Sequence, residues 1–451
     1  MKRATSSGTV QLISFGCKLN YAETSAIRHQ LEEAGFAVAA SDQIPDYVII
    51  NTCAVTSQAE RDARKAIRRV HRLFPSAKIV VTGCYAQLRP EELAEQPGVI
   101  AVFGNTAKGQ IASFLSSHPE DCTTHLFVSD PDGFYQAATA PEDSRTRAFL
   151  KVQDGCDYRC SYCTIPKARG KSRGMAIEEV LQHIEVLEQA GYPEVVLTGI
   201  NLGDYRDPQN RKFFQLLQAI EAMRPGLRVR ISSIEPNLVT ESIVSLIAQS
   251  SVFCPHFHLP LQSGSPAILR RMRRRYTVET YRQKVSMILE AMPNCAIGVD
   301  VIVGFPGETE EHFQQTYEFL ESLPVAYLHV FSYSERSGTD AALFPNKVPA
   351  EEKKRRSQLL RRLSEQKRQA FAQRFVGQTL EWIPEQYDPQ HGGWVGWTEN
   401  YIRLFVPAPA TLAHRRYTVH IHRRRAAQLV GDIAEPLTAP AAVVQLPVVS
   451  Q

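Results

Sequence analysis

Nowhere in the chain do apolar residues run on for the roughly 18 positions that a membrane-spanning helix needs. The first eight residues, Met1 to Gly8, are polar and lack the hydrophobic centre of a secretory signal. The expectation is a cytoplasmic protein without membrane attachment. In that compartment thiols stay reduced, so the nine cysteines are not expected to form disulfides. Charge of one sign is also scarce, with 51 Lys and Arg against 47 Asp and Glu for a net of +4. So small an excess excludes a chain that binds nucleic acid by its total charge, and such a partner must be sought in local basic patches. What remains is an ordinary globular composition, 43% hydrophobic over 451 residues, long enough for about three domains.

Histidine is missing where a zinc finger would place it. Cys156, Cys160 and Cys163 stand within eight residues, and the nearest histidines, His125 and His183, lie outside finger-like spacing. Thiolates select zinc or iron–sulfur clusters. A structural zinc site is closed by four ligands, whereas a 4Fe-4S cube on three cysteines leaves one iron open for chemistry. Spacing favours iron–sulfur, with zinc and a thioredoxin-like pair (Cys160, Cys163) as the alternatives. The segment follows an expected strand, Phe149 to Gln153, and Gly155 would let the backbone turn.

Three further cysteines are spaced quite differently. Apolar runs at Gln11 to Phe15, Tyr47 to Asn51 and Lys78 to Thr82 alternate with helical patterns, which predicts a parallel sheet. Cys17, Cys53 and Cys84 each fall just past the carboxyl end of one of those strands, the edge where open α/β sheets bind ligands. A single such Cys is more often a small core residue. Three in one position, two of them after Gly, predict a second cluster with an open iron.

These residues carry a family resemblance. The C-x3-C-x2-C spacing, with Tyr162 before its last Cys, resembles the radical S-adenosylmethionine (SAM) superfamily, whose open iron chelates SAM and whose cluster cleaves it to a radical. Phe15-Gly16-Cys17-Lys18-Leu19-Asn20, Asn51-Thr52-Cys53-Ala54-Val55-Thr56 and Thr82-Gly83-Cys84-Tyr85 resemble the amino-terminal domain of the methylthiotransferases, which replace C–H by C–S–CH3. The Gly-Cys-Lys-Leu-Asn and Cys-Ala-Val-Thr forms are most similar to the branch acting on N6-threonylcarbamoyladenosine at position 37 of tRNA. The resemblance implies two 4Fe-4S clusters, SAM, tRNA as partner, a small electron-transfer protein as reductant and a sulfur donor. The nearer alternatives are isopentenyladenosine in tRNA and a ribosomal-protein aspartate as substrates. A metal-stapled RNA-binding protein without catalysis is the alternative from another class.

Past a stretch without periodicity at Ser129 to Arg147, five more β/α units follow the cluster loop, with strands at Glu194 to Thr198, Leu227 to Ser232, His256 to Leu261, Ala296 to Val303 and Tyr327 to Ser332. Counting the opening strand, they predict an incomplete (β/α)6 barrel with its chemistry at the strands' carboxyl ends. The resemblance implies that Tyr162, Asn201, Ser233, Gln262 and Asp300 line the SAM pocket. The superfamily's usual Gly-Gly-Glu after the second strand is absent. Arg270, Arg271, Arg273, Arg274 and Arg275 read as a phosphate contact at the rim, and Arg61, Arg64, Lys65 and Arg68 as one basic face of a helix. A helix from Pro349 to Phe375 leads to short strands that predict a small β-barrel, similar to the RNA-binding TRAM module. There Trp394, Trp397 and Tyr401 offer stacking faces, although a small barrel also needs such rings for its core, and Arg415, Arg416 and Arg423 to Arg425 offer charge. The expected division is 8–120 for the first α/β domain, 121–147 for a linker, 148–375 for the barrel, 376–434 for the terminal β-barrel and 435–451 for a disordered tail. Cys122, Cys254 and Cys295 read as structural.

Overall fold

The computed structural model describes residues 8–40, 43–117, 123–131, 133–140, 145–425 and 428–436. Cys122 and the tail beyond 436 lie outside the described residues, as do the side chains of Arg423 to Arg425. The first sheet is six-stranded and wholly parallel, in the order Ala37–Val38, Thr9–Ser14, Tyr47–Thr52, Lys78–Gly83, Val99–Phe103, His125–Phe127. Its inner strands carry apolar residues on both faces because helices cover both. Ile49 and Val80 pack with Ile27 and Leu31 of the helix Lys18–Glu33, and Val48, Ile50, Ile79 and Val81 pack on the other face with Ile67 and Val70 of the helix Ser57–Leu73. Val99–Phe103 and His125–Phe127 add to the three strands expected from the sequence. The short run Val-Ile-Ala-Val-Phe is apolar at every position, and periodicity cannot separate such a run from a helix segment.

The central unit is the predicted incomplete barrel. Arg147–Lys151, Glu194–Thr198 and Arg228–Ile231 form one parallel set, and His256–Gln262, Ala296–Val303 and Tyr327–Ser332 another. Parallel bridges Val229 to Phe253 and Ser233 to His258 join the two. Side chains alternate along each strand. Ala148, Leu150, Val195, Leu197, Val229, Ile231, Leu259 and Val299 meet the surrounding helices in one core. The intervening positions, among them Arg147, Lys151, Glu194, Arg228, Arg230, His258 and Asp300, face a polar interior. Part of the stretch expected as linker is built into the fold. Ala137–Ala138 pairs antiparallel with Arg147–Lys151, and Tyr135 is buried with its hydroxyl on Gln30.

After the helix Ala350–Gln373 the chain forms a closed five-stranded barrel from Thr379–Asp388, Gly393–Thr398, Arg403–Pro407, Tyr417–Arg425 and Gln428–Pro436. The last strand carries the barrel one or two residues into the region expected as tail, because Thr418 and Tyr417 pair with Glu435 and Pro436. The turn after Gly393–Thr398 is seated under the central barrel. Arg228 Nη2 donates to Trp397 O at 3.0 Å, Arg230 Nη1 to Glu399 O at 2.9 Å, and Asn400 Nδ2 to Asn294 O at 3.3 Å. Both arginines are themselves held by the buried carboxylate of Glu194. Tyr401 therefore is not the free stacking face expected from the sequence. Its ring lies 4.4 Å from that of Trp397 and beneath Arg230. Trp394 is buried in the core of the small barrel. Among the described residues no helix is long and apolar enough to cross a membrane.

Candidate cluster site between two cysteine trios

The first trio sits on a loop fixed at both ends. Gly155 takes φ +71°, and a Cβ there would lie 1.9 Å from Lys171 O, so only glycine admits the turn. Gln153 ties this turn to the next strand end, donating to Gly155 O at 2.8 Å while its Oε1 accepts from Ile200 N and Asn201 N. Tyr158 N points to Cys156 Sγ at 3.4 Å and Ile165 N to Cys163 Sγ at 3.5 Å. Burial pushes the Cys156 and Cys163 thiols up to about 12, and a bound metal would draw their protons off.

Cys160 has a different partner. Arg274 Nη1 donates to its sulfur at 2.9 Å, and Arg274 is paired with the carboxylate of Glu235. This corrects the reading of residues 270–275 as a uniform phosphate contact. Arg274 is 3% exposed at its side chain and faces the cluster loop, while Arg275 lies 4.1 Å from the centre of the Tyr158 ring and donates to Asp157 O. The run of arginines is read as surface charge until Glu235, 39 residues away, is folded against it. Arg274→Met is therefore expected to cut iron retention at the first trio, or SAM cleavage, about 10- to 100-fold. Binding of tRNA should change less than twofold in a filter assay across salt concentrations, the opposite of what a phosphate contact predicts.

The second trio assembles from three strand ends. A Cβ on Gly16, which has φ +98°, would meet Cys53 Sγ at 2.9 Å, so the Cys17 turn is pressed directly against Cys53. Cys84 weighs electrostatically on both Cys17 and Cys53, and burial pushes the Cys53 thiol up to about 12. Cys53 and Cys84 are buried, while Cys17 is exposed. The three strand ends thus bring Cys17, Cys53 and Cys84 into one neighbourhood. Asn20 holds the turn by donating to Phe15 O and Thr52 O.

A buried charge network lies between the trios. Arg169, six residues after Cys163, donates from Nε to Cys84 Sγ at 3.2 Å and from Nη2 to Asn20 Oδ1 at 2.8 Å. Its Nη1 meets Glu23 Oε1 at 2.9 Å and Asp154 Oδ1 at 3.1 Å. Lys151 bridges the same carboxylates at 2.9 and 2.6 Å, and Lys108 pairs with Glu23. Burial would raise both carboxyls, yet Arg169, Lys108 and Lys151 hold Glu23 well below its ordinary range, and Lys151 and Arg169 hold Asp154 down. Three buried cations thus share two carboxylates, and the sulfur of Cys84 is a further acceptor for Arg169.

The expected SAM-pocket residues divide. Asn201 is buried, its Oδ1 accepts from Glu235 N, and its Nδ2 has no partner among the described residues, leaving a donor for a ligand. Gln262 stands at φ +70° on a bulge of its strand. Tyr162 packs edge-on against Phe305. Ser233 and Asp300 are instead tied to His258, which spends Nδ1 on Ser233 Oγ at 2.7 Å and Nε2 on Asp300 Oδ1 at 2.8 Å. With His329, His258 and Asp300 form the one set of three possible ligands among the described residues whose donor atoms all lie within 4.8 Å. A hydrogen bond accounts for the closeness of His258 and Asp300, and His329 lies edge-on to His258 with ring centres 5.4 Å apart.

Arg169, Glu23, Arg274 and His258 were not legible beforehand. The only signal was charge within six residues of a ligand Cys, for Glu23 and Arg169. Cys254 and Cys295 are buried, Cys295 within the apolar core of the barrel and Cys254 with its sulfur 3.8 Å from Glu194 Oε2.

Two family profiles match the chain. That of the Radical SAM superfamily covers residues 150–320, and that of the Uncharacterized protein family UPF0004 covers residues 9–104. The Threonylcarbamoyladenosine tRNA methylthiotransferase MtaB of Bacillus subtilis (strain 168) is 39% identical over 404 residues, 88% of this chain and 90% of that protein. The protein of the same name from Aquifex aeolicus (strain VF5) is 38% identical over 372 residues, 81% and 90% of the two. Among solved structures, the radical S-adenosylmethionine methyltransferase TsrM of Kitasatospora setae, with cobalamin and a 4Fe-4S cluster bound, superposes with a TM-score of 0.54. It covers 74% of each chain at 18% identity, a likeness of fold alone.

Proposed function

The chain belongs to the radical SAM methylthiotransferases, and from that membership we propose that it converts N6-threonylcarbamoyladenosine at position 37 of tRNA to its 2-methylthio derivative. Enzymes of this family work with two 4Fe-4S clusters and SAM. Cys156, Cys160 and Cys163 would hold the SAM-cleaving cluster, and Cys17, Cys53 and Cys84 the sulfur-bearing one. When bound, these groups supply the sulfur and the one-electron chemistry that a C–H bond without an acidic proton requires.

The observation that carries the reading is Arg169, which grows from the loop of the first trio and donates to a sulfur of the second. That contact supports a reading in which the two sites share one space, as sulfur insertion next to a SAM-derived oxidant demands. Within that space the protein's own residues bind and orient. Arg274 and Arg169 hold thiolates by charge-assisted hydrogen bonds, and Asn201 offers its free amide N–H. Lys151 of the barrel, paired with Glu23, ties the helix Lys18–Glu33 to the first barrel strand. The reading calls for a small electron-transfer protein as reductant and for a sulfur donor, both in the cytoplasm.

Nucleoside mass spectrometry on tRNA from cells lacking this protein tests the proposal. The expected result is accumulation of unthiolated threonylcarbamoyladenosine and loss of its methylthio form, restored by the wild-type chain. Persistence of the methylthio nucleoside in cells without a second such enzyme would overturn the substrate assignment.

A further inference from the structure

A cavity of about 520 Å³ opens directly on Cys17. Its charged lining residues are Lys18, Arg28 and Arg145, with no Asp or Glu among the side chains that form it. Tyr21 and Phe149 give it aromatic walls, and Arg145 is stacked 3.9 Å from the centre of the Tyr21 ring. The volume suits a group of nucleoside size. The position suits a group that must present one atom to the sulfur of the second trio, since Cys17 is the exposed member of that trio.

Lys18 differs from the other enclosed cations of this region. Lys108, Lys151 and Arg169 share Glu23 and Asp154, Arg274 has Glu235, and Arg228 and Arg230 have Glu194. Arg28 is paired with Glu32 at 3.0 Å. Among the described residues no carboxylate pairs with Lys18. Its ammonium stands 5.8 Å from the centre of the Tyr401 ring, and Arg147, Arg230 and Glu194 lie within its electrostatic reach. Glu194 is already taken by three arginines, Arg147, Arg228 and Arg230. An enclosed ammonium without an anion is costly unless a ligand brings one.

We infer that this cavity receives the N6 arm of the substrate nucleoside and that Lys18 pairs with the free carboxylate of its threonyl group. The inference rests on the substrate reading above and names the residue that would enforce it. A neutral alkyl arm, such as isopentenyl, would leave the ammonium unpaired and be refused on that account. The aromatic walls would lie against the base or its planar urea.

The test uses the reconstituted holoenzyme and two anticodon stem-loop RNAs, one with threonylcarbamoyladenosine and one with its methyl ester, equal in shape but neutral. Wild type, Lys18→Met and Lys18→Arg are compared for Kd and for KM, with iron content measured alongside. The wild type should bind the acid about 30-fold or more tightly than the ester, as expected for removing one partner of an enclosed charge pair. Lys18→Met should bind both like the ester, and Lys18→Arg should recover most of the preference. Equal affinity of the wild type for acid and ester would overturn the inference, and so would a Lys18→Met enzyme that keeps its iron and its preference. If Lys18→Met loses iron, the wild-type comparison and Lys18→Arg still decide. A wild type that methylthiolates neither RNA would instead sink the substrate reading, a different and separately visible outcome.

Discussion

Alanine at Cys163 is expected to remove about four of about eight irons per chain and to abolish SAM cleavage, and alanine at Cys53 to remove the other four while SAM cleavage survives. These two positions give the cleanest comparison. Cys160 and Cys84 each accept a hydrogen bond from a buried arginine, so their loss would also unpair Arg274 or Arg169. Cys163 and Cys53 accept only from a backbone N–H two residues on, Ile165 N and Val55 N, both at 3.5 Å. The Cys53 variant should therefore still form 5′-deoxyadenosine from SAM and dithionite yet yield no methylthio nucleoside in a tRNA assay. A Cys53→Ala enzyme with full iron content and product would show that the second trio is no cluster site. Iron analysis and product analysis answer independently, since the first counts sites and the second assigns their work.

Alanine at Glu23 should cost about 3–5 kcal/mol in the stability of the first sheet's docking on the barrel, seen as a first thermal transition about 10 °C lower. The carboxylate is wholly buried and is shared by Lys108, Lys151 and Arg169. Without it Lys108 loses its paired carboxylate, and Lys151 and Arg169 keep Asp154 as theirs. Ion pairs in such places add little net stability compared with apolar residues, but stripping one partner leaves uncompensated charge in a medium that cannot solvate it. Glu23→Gln keeps the shape and one acceptor but not the charge, so it should fall between wild type and Glu23→Ala. Because the chain has several units, two-state treatment does not apply, and hydrogen exchange along the helix Lys18–Glu33 should locate the loss. Unchanged protection there in Glu23→Ala would mean that the network is not what closes the domain boundary.

Much of this architecture could be read from the residue order. Strand ends at Cys17, Cys53 and Cys84 were legible because each follows an apolar run and opens a helical pattern, and five of the barrel strands were found within a residue or so of their ends. The polar interior was not. Arg-Val-Arg-Ile at 228–231 has the alternation of a half-exposed strand, yet both faces are enclosed and its arginines meet Glu194 from the neighbouring strand. Likewise Arg274 and Tyr401 carry the composition of an RNA-binding surface and are used inside, since burial of a charge or a phenol depends on partners that lie far along the chain. Local pattern fixes where a strand runs. Which carboxylate waits opposite an arginine is a tertiary fact.

The turn at Trp397–Tyr401 makes the terminal barrel one jaw of a calliper. Main-chain oxygens of that turn are gripped by Arg228 and Arg230, whose strand also carries Ser233 into the reaction space. A polynucleotide resting on the small barrel would then sit at a constant offset from the sheet edge that carries Cys17, Cys53 and Cys84. Which nucleotide comes within range would be set by that span and not by a swinging tether.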